Sequence, residues 1–148
     1  MSELTPFDDQ MAGLIGALSP ASRRKLAAEI AKELRRSQQQ RIKQQKAPDG
    51  MPYEARKRQP LRAKKGRIKR AMFQKLRTSR YMKASSRSDA AVVEFTGKVQ
   101  RIVRVHQFGL KDRPNPYSVD VQYPERQLLG FTIENEQSIE RILTNYFS

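Results

Sequence analysis

The sequence predicts a single α+β domain. We expect a small antiparallel sheet of about three to four strands, packed with helices and preceded by a basic, helical N-terminal region. Three observations support this prediction. Apolar residues recur at intervals of three and four near both ends of the 148-residue chain, which is the spacing of one helix face. β-branched and aromatic residues cluster at 81–96, as in a hairpin. No internal repeat is visible, and the length is that of one domain.

The first two helices are predicted from their periodicity and from one capping pattern. Residues 4–18 place apolar side chains on one face, but two glycines weaken this helix, so we expect it to dock on another surface. Ser19 and Pro20 indicate the N-cap and first position of a second helix, which should run to about residue 46. Further along that helix the apolar stripe thins, and the polar residues 37–40 indicate that its last turns project away from the core.

The rest of the chain divides into an extended basic arm at 47–66 and an α+β core at 67–148, after N-terminal helices at 1–46. The core is predicted to contain, in order, a short third helix from residue 67, hairpin strands at 81–85 and 90–96, a helix at 99–108 stopped by Gly109, a strand at 119–123, and a final helix capped by Thr132.

The positive charge of the chain is concentrated in one region. Thirty Lys and Arg against fifteen Asp and Glu give a net charge of +15. Residues 23–70 hold eighteen basic and four acidic side chains, a local charge of +14. Such a block attracts polyanions in a salt-dependent way, whether nucleic acid, an anionic membrane or an acidic protein surface. Only 37% of residues are hydrophobic, so much of the chain should lie at the surface or against a partner. This favours an assembly component over a compact enzyme.

Residue types that carry catalysis or bind metals are scarce. The chain has no Cys, which removes disulfides, thiolate metal sites and thiol nucleophiles, and fits a reducing cytoplasm. His106 is the one histidine, and no nucleophile or carboxylate pair accompanies it, so a structural role before Gly109 is favoured over a general base. The glycines do not form a phosphate-binding loop. We expect no enzyme activity and no cofactor.

Membrane association is not expected either. No stretch approaches the roughly 20 apolar residues needed to cross a bilayer. The acidic start of the chain is unlike a signal peptide. These features predict a protein that is made in the cytoplasm and has no membrane partner.

The basic arm leaves three interpretations open: a nucleic-acid-binding segment, a docking segment for an acidic partner, or a solubilising loop. Tyr53, Phe73 and Tyr81 are too far apart for a platform that stacks single-stranded bases. Neither zinc-finger spacing nor a helix-turn-helix is visible, so sequence-specific recognition is not expected, and non-specific phosphate contact stays open. The candidate residues of the arm are its cations, Arg56, Lys57, Arg58, Arg62, Lys64, Lys65, Arg67, Lys69 and Arg70.

Six short motifs are spread over nearly the whole chain. They are SPASRR at 19–24, RSQQQRI at 36–42, APDG at 47–50, RAMF at 70–73, VHQFG at 105–109 and YPERQLLG at 123–130. In this order they resemble the phage virion morphogenesis family, and within it the tail completion proteins of peduoviruses, which are temperate phages with contractile tails.

The resemblance implies a structural virion protein without catalytic activity. Such a protein would lie at the head-proximal end of the tail, in the neck, complete the tail and support stable joining to the head. It would form a homo-oligomeric ring, which we expect to be sixfold, and contact tail tube or tail terminator proteins, head–neck connector proteins and the DNA in the tail channel. It would be made in the host cytoplasm. The alternative is a non-specific nucleic-acid-binding protein that acts through the basic arm.

The resemblance also marks a second set of candidate residues. They come from two of the motifs, and we expect structural or interface roles for them: His106, Gln107, Phe108, Gly109, Pro124, Arg126, Leu128, Leu129 and Gly130. Arg126 is the candidate contact between ring subunits. A ring would also bring six basic arms together, and their fields would be screened over about 8 Å at physiological salt.

Overall fold

The structure is a computed structural model that describes residues 6–56 and 71–148. Within these residues, four α-helices and two separate two-stranded antiparallel sheets form an α+β fold, which confirms the predicted class. The elements are α1 (Pro6–Gly16), α2 (Pro20–Lys43), β1 (Met82–Ser86), β2 (Ala91–Phe95), α3 (Gln100–Phe108), β3 (Lys111–Asp112), β4 (Val121–Gln122) and α4 (Ile133–Phe147). A short 3-10 helix, Gly97–Val99, leads into α3.

The long helix α2 begins where the sequence predicts. Ser19 caps it, because its Oγ accepts a hydrogen bond from the backbone N–H of Ser22 at 3.2 Å, and Pro20 takes the first helical position. The helix ends at Lys43, short of the expected residue 46. Gln45, just beyond that end, has the left-handed backbone angle φ 60°, which a helix cannot continue through.

The expectation that the last turns of α2 project away from the core is wrong. Ile42 is fully buried and Gln38 is only 5% exposed. This face of the helix packs against the C-terminal half of the chain, which also supplies hydrogen-bond partners for its polar side chains. A polar helix face therefore lies in the interior because its partners are polar backbone groups.

The core lies where α2 and α3 meet the β1–β2 hairpin. The predicted hairpin is confirmed, with an antiparallel register that runs from Met82 opposite Phe95 to Ser86 opposite Ala91. Met82 is fully buried and Phe95 nearly so. The buried cluster joins residues that lie far apart in the sequence, namely Ile42, Tyr53, Met82, Phe95, Val99, Val103 and Leu128.

The predicted third helix is wrong in its described part. Residues 71–81 form turns, and the remainder of the prediction, from residue 67, lies outside the described residues. The side-chain amide of Gln45 takes the place of helical hydrogen bonds, since it donates to Met72 O at 2.9 Å and accepts from Met72 N at 2.8 Å. The next residue, Phe73, has a left-handed φ of 64°. The helical spacing of apolar residues here reflects packing on the core.

The two later helices agree with the prediction, and the later strand differs from it. Helix α3 is confirmed and ends at Gly109 in the left-handed conformation, with φ 64°. Helix α4 is confirmed as well, and Thr132 and Asn135 form a reciprocal capping box at its start. The strand expected at 119–123 is shortened to β4, which pairs with the unpredicted strand β3. Among the described helices, none is long and apolar enough to cross a membrane.

Candidate functional site

Residues 123–131, here called the clamped segment, have neither helix nor strand. Two of its side chains are nevertheless buried, Leu128 completely and Arg126 to 95%, with an exposed fraction of 5%. Backbone polar groups that leave water need other hydrogen-bond partners. Side chains from other elements provide them here, and these contacts join most of the sequence motifs at one place.

Gln107 on α3 holds two consecutive residues of the clamped segment. Its Oε1 accepts hydrogen bonds from the backbone N–H groups of Leu128 and Leu129 at 2.8 and 3.0 Å. Its Nε2 donates to Leu129 O at 2.9 Å. The side-chain amide thus provides the hydrogen-bond partners that a neighbouring strand would give to this backbone. The VHQFG and YPERQLLG motifs are therefore two halves of one structural unit.

Helix α2 holds the same part of the clamped segment from another side. The Nη2 of Arg41 donates to Leu128 O at 3.0 Å and to Gln38 Oε1 at 2.6 Å. The same Gln38 oxygen accepts from Gly130 N at 3.1 Å. Burial lowers the pKa of Arg41, but a guanidinium keeps its charge at physiological pH. The RSQQQRI motif therefore serves the same segment as the two C-terminal motifs.

Two glycines permit close contacts between backbone segments. A Cβ added to Gly130 would lie 2.6 Å from Pro48 Cβ, so the APDG motif packs directly on the clamped segment. A Cβ on Gly109 would lie 2.9 Å from Glu125 N, and this glycine also has a positive φ. Both positions leave no room for a side chain, and Gly109 is additionally favoured by its conformation.

Arg126 connects the clamped segment to the part of the basic arm that the structure describes. Its Nε donates to Glu54 O at 2.8 Å and its Nη2 to Ala55 O at 3.2 Å. Its own backbone N–H donates to His106 O at 2.7 Å. Burial lowers the pKa of the guanidinium. Of the two roles left open by the sequence, structural or interface, this buried geometry supports the structural one.

His106 lies in a stack of aromatic rings. Its ring makes edge-to-face contacts with Phe73 at 4.9 Å and Tyr123 at 5.2 Å between centroids. Burial and, to a smaller extent, the nearby cations Arg126 and Arg56 together lower its pKa to about 4. Its Nδ1 is buried and has no hydrogen-bond partner among the described residues. The imidazole is thus neutral at neutral pH and contributes packing.

The other candidate residues of these two motifs differ in exposure. Leu129 packs against the core. Pro124 lines a cavity of about 570 Å³ together with Phe73, His106 and Tyr123. Phe108, in contrast, is 59% exposed, and the guanidinium of Arg104 lies 6.0 Å from the centroid of its ring. Within residues 6–56 and 71–148, no group of three or more His, Cys, Asp or Glu side chains could hold a metal ion.

The basic arm is described at one residue of its candidate set. Arg56 lines the same cavity as Arg126. The other members of the set lie outside the described residues, namely Lys57, Arg58, Arg62, Lys64, Lys65, Arg67, Lys69 and Arg70. The three interpretations of the arm therefore stay predictions.

Several residues that hold this site are not predicted from the sequence. Gln38, Arg41 and Gln45 act through hydrogen bonds to backbone groups far along the chain. Tyr53 does the same, since its hydroxyl donates to Gln127 O at 2.8 Å, and burial raises its pKa to about 12. The sequence signal for the glutamines is a run of uncharged residues in an otherwise charged helix. From the sequence alone, such a run is interpreted as a helix face that is exposed to solvent.

Comparison with known proteins agrees with the motif resemblance and confirms it. The model of the phage virion morphogenesis family matches residues 2–148. The chain is 49% identical over 144 residues to "Tail completion protein S" of Escherichia phage P2, and the alignment covers 97% of this chain and 96% of that protein. No solved structure matches the chain.

Proposed function

The chain belongs to the phage virion morphogenesis family, and from this premise we propose that it completes the head-proximal end of a contractile phage tail. In this role it is a structural subunit that forms a ring and supports stable joining of head and tail. A general role in phage tail morphogenesis follows from the family and from the relative named as a tail completion protein. The ring and the joining of head and tail are the further steps of the proposal.

The observation that carries the proposal is the 49% identity to a tail completion protein along 97% of the chain. The geometry of the site is consistent with a structural role. Gln107, Arg126 and Gly130 are engaged in backbone hydrogen bonds and close packing inside the subunit. These contacts stabilise one conformation and provide no chemistry on a substrate. We therefore propose that the protein is not an enzyme.

The surface supports a role in an assembly. Large apolar side chains are exposed at several points outside the core, including Phe108, Tyr117, Val119, Phe131 and Ile133. Tyr117 lies two residues from Val119, and Phe131 lies two residues from Ile133. Exposed apolar residues that lie together are typical of surfaces that another molecule covers. We propose further copies of this chain, in a sixfold ring, and tail tube, tail terminator and head–neck connector proteins as the molecules that cover them. The DNA in the tail channel is a further candidate partner of the basic arm, and the site of action is the neck of the virion.

A nonsense allele of the gene in its own phage tests the proposed function. We expect filled heads and separate, unjoined tails in electron micrographs of the lysate, with a large loss of infectious particles. The matched control supplies the wild-type chain from a plasmid and should restore joined particles. Normal yields of joined, infectious particles from the nonsense allele alone would refute the proposal.

Non-specific nucleic-acid binding is the second candidate, and one observation favours it. The outer surface of α2 carries the exposed cations Arg24, Lys25, Lys32 and Lys43, which lie in the region of +14 charge. This function predicts a monomer or dimer that binds duplex DNA with micromolar affinity, steeply weakened by salt. A defined ring in native mass spectrometry without DNA would favour the tail protein instead.

A further inference from the structure

A groove of about 480 Å³ lies between α1 and α4. Its floor is apolar, and each helix contributes two residues to it, Met11 and Ile15 from α1 and Ile139 and Leu143 from α4. Each pair is spaced four residues apart and so lies on one helix face. Phe131, which is 64% exposed, also lines the groove. Helix α1 therefore lies beside α4 without filling the space between them.

The helices that border this groove are acidic, although the chain as a whole has a charge of +15. Together α1 and α4 contain five acidic residues and one basic residue, Arg141. Glu136 and Glu140 line the groove and form no ion pair within the described part of the chain. Arg141 lies close enough to Glu33 of α2 to help lower the pKa of that carboxyl group. The groove thus combines apolar walls with carboxylates, which suits a partner that is apolar and basic.

Helix α3 presents a surface with this complementary chemistry. Arg101, Arg104 and Phe108 are spaced three and four residues apart, so they share one face, here called the α3 ridge. Phe108 is 59% exposed beside the Arg104 guanidinium. Arg101 is paired with Asp112 at 2.6 Å, whereas Arg104 has no ion pair among the described residues. The ridge is therefore an exposed aromatic ring flanked by an available cation.

Phe108 also differs from the other candidate residues of its motifs. The remaining eight are buried or half-buried, but Phe108 is exposed. Its neighbours Gln107 and Gly109 are used inside the subunit, by hydrogen bonds to the clamped segment and by close backbone contact. Packing of the subunit gives the Phe108 ring no comparable role. Aromatic and arginine side chains together are typical anchors of protein interfaces.

We propose that the α3 ridge of one copy docks into the α1–α4 groove of a second copy. Phe108 enters the apolar floor, and Arg104 faces Glu136 and Glu140. The two surfaces lie on different elements of the chain, so one copy can offer its ridge to one neighbour and its groove to another, and in this arrangement the contact is heterologous and joins copies head to tail. Repeated contacts of this kind close into a ring when the rotation between copies allows it. The inference rests on the proposed ring-forming function and identifies the surfaces that would build the ring.

Engineered cysteines test the contact directly, because the chain has no cysteine of its own. Phe108→Cys and Ile139→Cys variants are purified separately, mixed, oxidised and separated on a non-reducing gel. We expect a covalent dimer from the mixture that neither variant gives alone at the same concentration. Tyr117→Cys, at a position that is 98% exposed and off the ridge, replaces Phe108→Cys in the control mixture and should give no such dimer. Equal cross-linking from the control mixture would overturn the proposal.

A charge exchange provides the second measurement. Arg104→Glu and Glu140→Lys should each weaken association at least tenfold in sedimentation velocity, and the double variant should regain most of it. Both side chains are exposed, so the thermal unfolding of each variant should match that of the wild type. A ring that persists in native mass spectrometry with both single variants would overturn this contact but leave the proposed ring intact.

Two further outcomes are distinguishable. A wild-type chain that does not associate, together with cysteine variants that do not cross-link, overturns the contact. Cross-linking of Ile139→Cys in assembled tails to a different protein would assign the groove to that protein instead. The experiment with the nonsense allele tests the proposed function independently of either result.

Discussion

The Nε of Arg126 donates a hydrogen bond to the backbone oxygen of Glu54 at 2.8 Å, and this contact joins the clamped segment to the described part of the basic arm. Its Nη2 donates to the next carbonyl, that of Ala55. A single side chain therefore fixes two segments that lie 72 positions apart in the sequence. Stability of the subunit and placement of the arm both depend on it.

Replacement of Arg126 by Ala should destabilise the isolated subunit. It removes two hydrogen bonds from a charged, buried donor, so we expect a loss of roughly 2–3 kcal/mol in the free energy of unfolding, measured with urea. Arg104→Ala is the matched control, because that arginine is exposed, and should change stability by no more than about 0.5 kcal/mol. An unchanged urea midpoint for Arg126→Ala would show that these hydrogen bonds contribute nothing.

Gly130→Ala should disrupt the packing of the clamped segment on Pro48. The new methyl group would overlap the proline ring, and an overlap of this kind in a packed interior costs roughly 1–3 kcal/mol. Gly13→Ala on α1 is the control, since nothing lies within 4 Å of its added Cβ, and a helical Gly-to-Ala change should stabilise by about 0.5–1 kcal/mol. Thermal unfolding of the two variants should therefore shift in opposite directions, and equal shifts would contradict the packing described.

His106 should make the stability depend on pH between about 4 and 6.5. Its pKa is about 4 in the folded chain, below the ordinary value of 6.5, so the unfolded chain binds more protons in this window. Stability is then fully present above pH 6.5 and is lost as the pH falls towards 4.

The matched variant is His106→Phe, which keeps an aromatic ring in the stack but cannot titrate. Urea unfolding at pH 7 and pH 4 should show a decrease for the wild type that exceeds that of the variant by roughly 1–3 kcal/mol. The low-pKa carboxyl groups of Glu33 and Asp112 are common to both proteins and cancel in the comparison. Parallel pH profiles would contradict a buried, neutral histidine.

The cations of the basic arm beyond Arg56 should act in assembly without contributing to folding. A variant with Gln at Lys57, Arg58, Lys64, Lys65, Arg67 and Lys69 keeps Arg56, which lies beside the Arg126 contacts. We expect an unchanged unfolding midpoint and a lower yield of joined particles when this variant complements the nonsense allele. The control variant replaces six exposed polar residues outside the arm. A wild-type yield of joined particles from the arm variant would contradict a role of the arm in assembly.

The elements that the sequence predicts well depend on local signals. The Ser19 cap, the Thr132 cap, the left-handed Gly109 and the β1–β2 hairpin are each encoded by neighbouring residues. The failures depend on contacts that local patterns do not contain. The amide of Gln45 holds the backbone of Met72 and replaces the expected helix with turns.

The candidate site shows the same division. The motifs contain most of the residues that meet at the clamped segment, but their spacing does not reveal that Gln107 bonds to Leu128 and Leu129 or that Arg126 is buried. The burial of the α2 glutamines is equally hard to predict, because a polar helix face is normally exposed to solvent. Here Gln38 instead pairs with a backbone group of the clamped segment. Hydrogen bonds of this kind join positions that only the folded chain brings together.

The most direct test of the central claim is a density map of the head–tail junction in the intact virion, with this chain fitted into it. The proposed function predicts a ring of copies around the tail axis at the head-proximal end of the tail, with six copies expected. A map in which this chain is absent from the junction, or lies elsewhere in the particle, would contradict it.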